Sequence, residues 1–250
     1  FILRLLCVNP ARNLKQCMEQ AVSTIFFSAT LLPVQYYKEL LSGDQEEYAV
    51  YADSPFPREN KLLLVASDVS SRYTRRNKRE YEKVGEYIEK IVRGKKGNYL
   101  VFCPSYQYLR EVEEILRERL GEGKDWETEL LVQSSKMSEA EKEEFLNAFC
   151  EKGRNKSLTA LCVMGGAFSE GIDLTGDRLI GVVIVGTGLP MVCTEQEILK
   201  GYFDKREQNG FDYAYQYPGM NKVMQAAGRV IRTMEDRGVI ALLDDRFLRA

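Results

Sequence analysis

A chain of 250 residues is long enough to bury a full core in one large domain, or in one domain with part of a second. Its 35 lysines and arginines nearly balance 37 aspartates and glutamates, so overall charge names no nucleic-acid or membrane partner. Six cysteines without a C-x-x-C pair, and no histidine, argue against a zinc or iron–sulfur site and read as reduced, mostly buried thiols of an intracellular protein.

Short apolar runs rich in β-branched and aromatic residues predict strands at residues 3–8, 24–27, 61–66, 99–103, 130–132, 158–163, 179–185 and 238–243. None alternates strictly, which suits strands buried on both faces of a parallel sheet. Residues 52–60, with Pro55 and Pro57, read as a connector. Tyr81, Val84, Ile88 and Ile91 form one helical stripe; Leu109, Val112, Leu116 and Leu120 form another. Ser138 stands three residues before Glu141, a capping-box opening for a helix through Phe149, and Thr194 before Glu197 repeats the signal. Strand and helix in alternation predict an α/β three-layer sandwich around a mostly parallel central sheet. In such sheets ligands sit beyond the carboxyl ends of the strands, which directs attention to the loops after Cys103, Val163 and Val185 and to the helix entering the last strand. The sequence opens at Phe1 inside one expected strand and closes at Ala250 just after another, so both ends read as cuts through a longer protein. No stretch is apolar for long enough to span a membrane, and no signal peptide is visible.

Motifs of nucleotide hydrolysis are incomplete. A phosphate-binding loop needs glycines leading to Lys-Ser or Lys-Thr, and the nearest candidates, residues 94–97 and 121–124, lack the spacing and the hydroxyl. Gly186-Thr187-Gly188 after a strand hints at a dinucleotide fingerprint, but Pro190 and Met191 stand where its helix would begin. No D-E-x-H box is present. The strongest pattern is Gln225-Ala226-Ala227-Gly228-Arg229-Val230-Ile231-Arg232. On a helix, Gln225, Gly228, Arg229 and Arg232 share roughly one face, and two arginines with an amide there offer multidentate binding to phosphate oxygens. The bland alternative is a pair of arginines complementing a helix dipole.

That pattern, followed by an apolar strand and Asp244-Asp245-Arg246-Phe247, resembles motif VI of superfamily-two helicases of the DinG and xeroderma pigmentosum group D type. Gly166-Ala167-Phe168-Ser169-Glu170-Gly171-Ile172-Asp173 is similar to their motif V, Val101-Phe102-Cys103-Pro104-Ser105-Tyr106 to motif IV, and Phe27-Ser28-Ala29-Thr30-Leu31 to motif III. Order and spacing match over nearly the whole chain.

The resemblance implies the second RecA-like domain of an ATP-dependent DNA helicase, inactive as an ATPase alone. Residues 1–43 would carry motif III and border or belong to the first motor domain, and residues 44–250 would form the C-terminal RecA-like domain. Arg229 and Arg232 would reach the γ-phosphate with Gln225 positioning an arginine or the attacking water. Asp173, Glu170, Gly171 and Gly228 would lie on the nucleotide side, although Asp173 also reads as a turn cap. Ser105, Tyr106 and Ser169 would meet single-stranded DNA, and Ser28 and Thr30 would couple nucleotide state to DNA. ATP with Mg2+ would be shared with the N-terminal motor domain of the same protein, the main partner besides DNA. An iron–sulfur cluster would belong to that other half, and the setting would be the bacterial cytoplasm, near the nucleoid. Arg72 and Arg76, in a basic cluster around Tyr73, read equally as a phosphate track or as a solvated approach to a helix. Tyr213, Tyr215 and Tyr217 read as packing ahead of base stacking. Two rivals remain at this point: a non-catalytic nucleic-acid-binding module working through residues 72–79, and a stand-alone nucleotide-binding enzyme using residues 186–188.

Overall fold

The computed structural model describes residues 3–121, 128–151, 155–168 and 174–248. In chain order its elements are helices α1 (Ala11–Met18) and α2 (Val34–Leu41), strand β1 (Lys61–Ala66), α3 (Lys78–Gly94), β2 (Asn98–Cys103), α4 (Tyr106–Leu120) and β3 (Thr128–Val132). Then follow α5 (Glu139–Asn147), β4 (Ser157–Val163), β5 (Gly181–Val185), α6 (Thr194–Asp204), α7 (Tyr217–Ala227) and β6 (Gly238–Leu243). The chain clusters into two compact units, Phe1–Asp53 with Leu189–Asn221, and Ser54–Gly188 with Lys222–Ala250.

The second unit holds a six-stranded sheet in the order β1-β6-β5-β2-β4-β3, with every pairing parallel. Alternation along β2 explains its two cores. Tyr99, Val101 and Cys103 face α3 and α4, packing with Val84, Ile88, Leu109, Val112 and Leu116. Leu100 and Phe102 face the other way, toward Phe145 and Phe149 and toward Val223 and Ala226 of α7. Helices thus cover both faces of a parallel sheet, the RecA-like three-layer architecture. Both helical stripes point inward, and Ser138 and Glu141 form a complete capping box.

Several expectations need correction. Residues 3–8 and 24–27 form no strand; among the described residues every strand of the sheet lies in the second unit, so these runs have no ladder to join. β1 is not buried on both faces: it is an edge strand, and Leu62 and Leu63 remain 54% and 53% exposed. An apolar run therefore did not mark a central strand here. The second capping box is absent, because α6 is capped at Cys193 without a side-chain bond, and Glu197 instead accepts the Tyr215 hydroxyl at 2.6 Å. The thiols are not mostly buried either: Cys103 and Cys162 are, whereas Cys7, Cys17 and Cys150 are exposed. Burial pushes the Cys103 thiol up to about 12, which leaves it unreactive.

The first unit packs around aromatic rings. Tyr213 stacks on Phe203 at 4.2 Å between centroids, and Tyr36 touches both Tyr213 and Tyr217 at 5.3 Å. Arg206 pairs with Glu39 at 2.9 Å, and Arg4 with Glu195. Tyr213 and Tyr215 are buried here, which supports packing over base stacking.

Candidate functional site

All six strands are parallel, so the segments that follow them gather on one edge of the sheet. After β2, Ser105 caps α4, its hydroxyl accepting the Tyr108 N–H at 3.2 Å, and Tyr106 opens that helix. After β3 stands Gln133, a buried amide that donates to the Tyr106 hydroxyl at 3.0 Å and accepts the Val163 N–H at 2.8 Å. After β4 the chain turns at Gly165, whose φ of +74° favours glycine. A Cβ there would lie 3.5 Å from Cε of Lys222, so the lysine stem runs beside this turn. The Ser105 and Tyr106 hydroxyls and the Lys222 ammonium therefore stand on the carboxyl edge, groups suited to anionic oxygens, with the buried Gln133 amide bonded to the second hydroxyl. Sequence reading found Ser105 and Tyr106 but missed Gln133 and Lys222; a lone polar residue closing the apolar run 130–132 was the available signal for the first.

The arginines lie elsewhere. α7 ends at Ala227, and the Arg229 and Val230 amides reach back only three residues, to the carbonyls of Ala226 and Ala227. Gln225, Gly228, Arg229 and Arg232 thus do not share one helix face, contrary to the expectation. Gly228 and the β-branched pair Val230-Ile231 weaken the helix, and Asp236 captures the chain that follows. Its carboxylate accepts the N–H groups of Arg232 and Thr233, both at 2.7 Å, and of Gly176 at 2.9 Å. Burial pushes the Asp236 carboxyl up, yet these amide bonds outweigh it and hold the group below its ordinary range. Gly176 precedes β5 and Asp236 precedes β6, so Arg232 stands at the amino edge of the sheet, opposite Tyr106 and Gln133. Its side chain is exposed on a clamped backbone, whereas Arg229 is only 5% exposed, near enough to Cys162 for its charge to act on that thiol. Gln225 and Gly228 are exposed. Asp236 is a third residue that the sequence reading missed; its D-x-G spacing before a strand was the available hint.

The basic cluster is largely tied to the body of the second unit. Arg75 pairs with the buried Glu80 at 3.0 Å, Arg72 lies 3.7 Å from Asp245, and Arg76 donates to the Ser71 carbonyl at 3.0 Å while lying over Tyr108. Ser28 and Thr30 form a local turn in the first unit, the Ser28 hydroxyl accepting the Thr30 N–H at 3.2 Å. Ser169, Glu170, Gly171 and Asp173 fall outside the described residues. Among the described residues, no group of three or more His, Cys, Asp or Glu is placed to hold a metal, and no helix is long and apolar enough to cross a membrane.

Residues 88–250 match the family model of the helicase C-terminal domain. A probable ATP-dependent helicase of Methanocaldococcus jannaschii is 28% identical over 97% of this chain and 38% of its own length. The XPD helicase subunit of general transcription and DNA repair factor IIH from Saccharomyces cerevisiae is 29% identical over 99% of this chain and 33% of its own length. A solved XPD helicase structure superposes with a TM-score of 0.72 at 25% identity, covering 96% of this chain and 42% of that one. The chain therefore spans roughly a third of the curated relatives it matches. It belongs to the helicase C-terminal domain family of DinG- and XPD-like superfamily-two helicases.

Proposed function

We propose that the chain is the second motor domain of an ATP-dependent DNA helicase, supplying an arginine finger to ATP bound mainly by a first motor domain. The observation that carries this reading is Arg232, exposed at the amino edge on a backbone that Asp236 holds through two amides at 2.7 Å. A guanidinium fixed before the reaction stabilises charge that spreads over the phosphoryl oxygens in the transition state, with little reorganisation. Arg229 is largely buried, and by family likeness it, Gln225 and Gly228 belong to the same γ-phosphate-facing segment. Asp173, Glu170 and Gly171 are assigned to the nucleotide side by family likeness. The phosphate loop and the magnesium carboxylates are assigned to the first motor domain, which makes the chain inactive as an ATPase by itself.

At the opposite edge, Ser105, Tyr106 and Lys222, with Ser169 by likeness, meet the phosphates of single-stranded DNA. Separation of the two sets lets nucleotide-driven closure be felt at the DNA track, with Ser28 and Thr30 in the coupling path. Residues 1–43 border or belong to the first motor domain in this scheme, and the motor domain lies within residues 44–250, with its sheet in the unit Ser54–Gly188 and Lys222–Ala250. Likeness to the XPD subunit of a transcription and DNA repair factor supports a role in DNA repair, with the bacterial cytoplasm as the proposed setting. The rival binding module would work through Arg72 and Arg76, but both are engaged by their own unit, which weighs against it.

The test is ATP hydrolysis, stimulated by single-stranded DNA, in the assembled two-domain helicase. Arg232→Ala should lower the rate by about 10³-fold or more while DNA affinity stays near wild type. Arg232→Lys should rescue little, since a point charge cannot replace the planar fork. Hydrolysis at the wild-type rate in Arg232→Ala would refute the finger role.

A further inference from the structure

Gln133 is 4% exposed at the carboxyl end of β3, and none of the four helicase motifs includes it. Its Oε1 accepts the Val163 N–H at 2.8 Å, and a backbone N–H can only donate, so the amide cannot be turned around. Nε2 must then donate to the Tyr106 hydroxyl, 3.0 Å away. With a lone pair occupied in this way, the hydroxyl has its own proton to give. Among the described residues that proton goes to the Ser134 carbonyl at 3.4 Å, well beyond the roughly 2.5–3.0 Å of a good O–H···O bond. The proton is held in a weak contact, ready for a better acceptor. Packing locks the arrangement: a Cβ on Gly166 would come 2.9 Å from Nε2, so the turn after β4 lies directly against the amide.

We propose that Gln133 is a positioning residue that sets the polarity of the Tyr106 hydroxyl, so that the carboxyl edge offers a donor to phosphodiester oxygens of single-stranded nucleic acid. This rests on the reading that Tyr106 meets the DNA backbone. A phosphate oxygen only accepts, and a charge-assisted bond to it outcompetes the long contact to Ser134. The same amide ties the first residue of the helix after β2 to the last residue of β4.

The experiment measures affinity of the 250-residue chain for fluorescent oligo-dT by anisotropy, with folding checked by circular dichroism. Tyr106→Phe should weaken binding about tenfold. In Gln133→Glu the carboxylate accepts both the Val163 N–H and the Tyr106 O–H, so the hydroxyl proton turns inward. Binding should fall at least as far as in Tyr106→Phe and recover as the pH is lowered and the carboxyl regains a proton to donate. In the Tyr106→Phe background, Gln133→Glu should cost less than about twofold more, because the hydroxyl through which it acts is gone. Simple repulsion between carboxylate and phosphate would persist in that background. If Gln133→Glu does not fold, Gln133→Met keeps the volume without the donor and should show the same non-additivity with Tyr106→Phe. Wild-type affinity in either Gln133 variant, or a loss that adds in full to that of Tyr106→Phe, overturns the proposal. A silent Tyr106→Phe, or no binding by the wild-type chain, overturns instead the reading on which it rests.

Discussion

Asp244 shows how single residues hold the second unit together. It is fully buried after β6, and burial pushes its carboxyl up. Bonds from the Arg246 side chain at 2.7 and 2.8 Å, from the Ser71 N–H at 2.9 Å and from the Ser71 hydroxyl at 2.8 Å outweigh burial. The net result is a value lowered to about 2 from an ordinary 3.8. A carboxyl depressed in the folded state contributes its stability above the unfolded value and loses it as pH falls through the folded one. The loss should therefore run from about pH 4 down to about pH 2 and amount to roughly 2 kcal/mol. Denaturant melts of wild type and Asp244→Asn across that window should show a flatter pH dependence in the variant, and equal slopes would contradict the assignment. At neutral pH, Asp244→Ala should cost on the order of 3 kcal/mol, because the Ser71 donors and the Arg246 guanidinium lose their acceptor. Such residues were hard to read in the sequence. Asp236 and Gln133 act through backbone amides of Arg232, Gly176 and Val163, partners that only the fold brings near. The spacing of Gln225, Gly228, Arg229 and Arg232 was legible as a family pattern, but not the end of the helix at Ala227 that separates them.

At the scale of elements, periodicity located what tertiary burial had shaped. The stripes Val84-Ile88 and Leu109-Val112-Leu116 were legible because one face of each helix meets the sheet. Residues 3–8 and 24–27 misled because apolar, β-prone segments need a neighbouring strand before they can be one. The helix expected through Arg232 stops short for a related reason: residues at i, i+3, i+4 and i+7 spacing read as helix, but the Asp236 clamp and the close approach of the loop to β6 set the real path. A Cβ on Gly238 would come 2.1 Å from Cγ1 of Val230 and 2.7 Å from the Ile180 carbonyl. Gly238→Ala therefore forces Val230 or the backbone at Ile180 to shift. It should lower the melting temperature, by an amount equivalent to about 1–3 kcal/mol, and it should also slow ATP hydrolysis in the assembled helicase through displacement of Arg232. A variant with unchanged melting and unchanged hydrolysis would show that the loop is not anchored there.

For the molecule as a whole, near-neutral charge said nothing of a nucleic-acid partner, and the two candidate surfaces came into view only through topology. A parallel sheet sends Ser105, Gln133 and Gly165 to one edge and the approaches to β5 and β6 to the other, which separates a donor-rich track from an exposed arginine. In the proposed function, hydrolysis needs this domain and a first motor domain together. The most direct measurement is steady-state ATP hydrolysis by the chain alone, by the first motor domain alone, and by the two mixed at rising concentration, with and without single-stranded DNA. Negligible rates from either part, and a saturable, DNA-stimulated rate from the mixture, are the predicted result. Hydrolysis by the chain alone, or a first motor domain whose rate is indifferent to an associated partner, would contradict it.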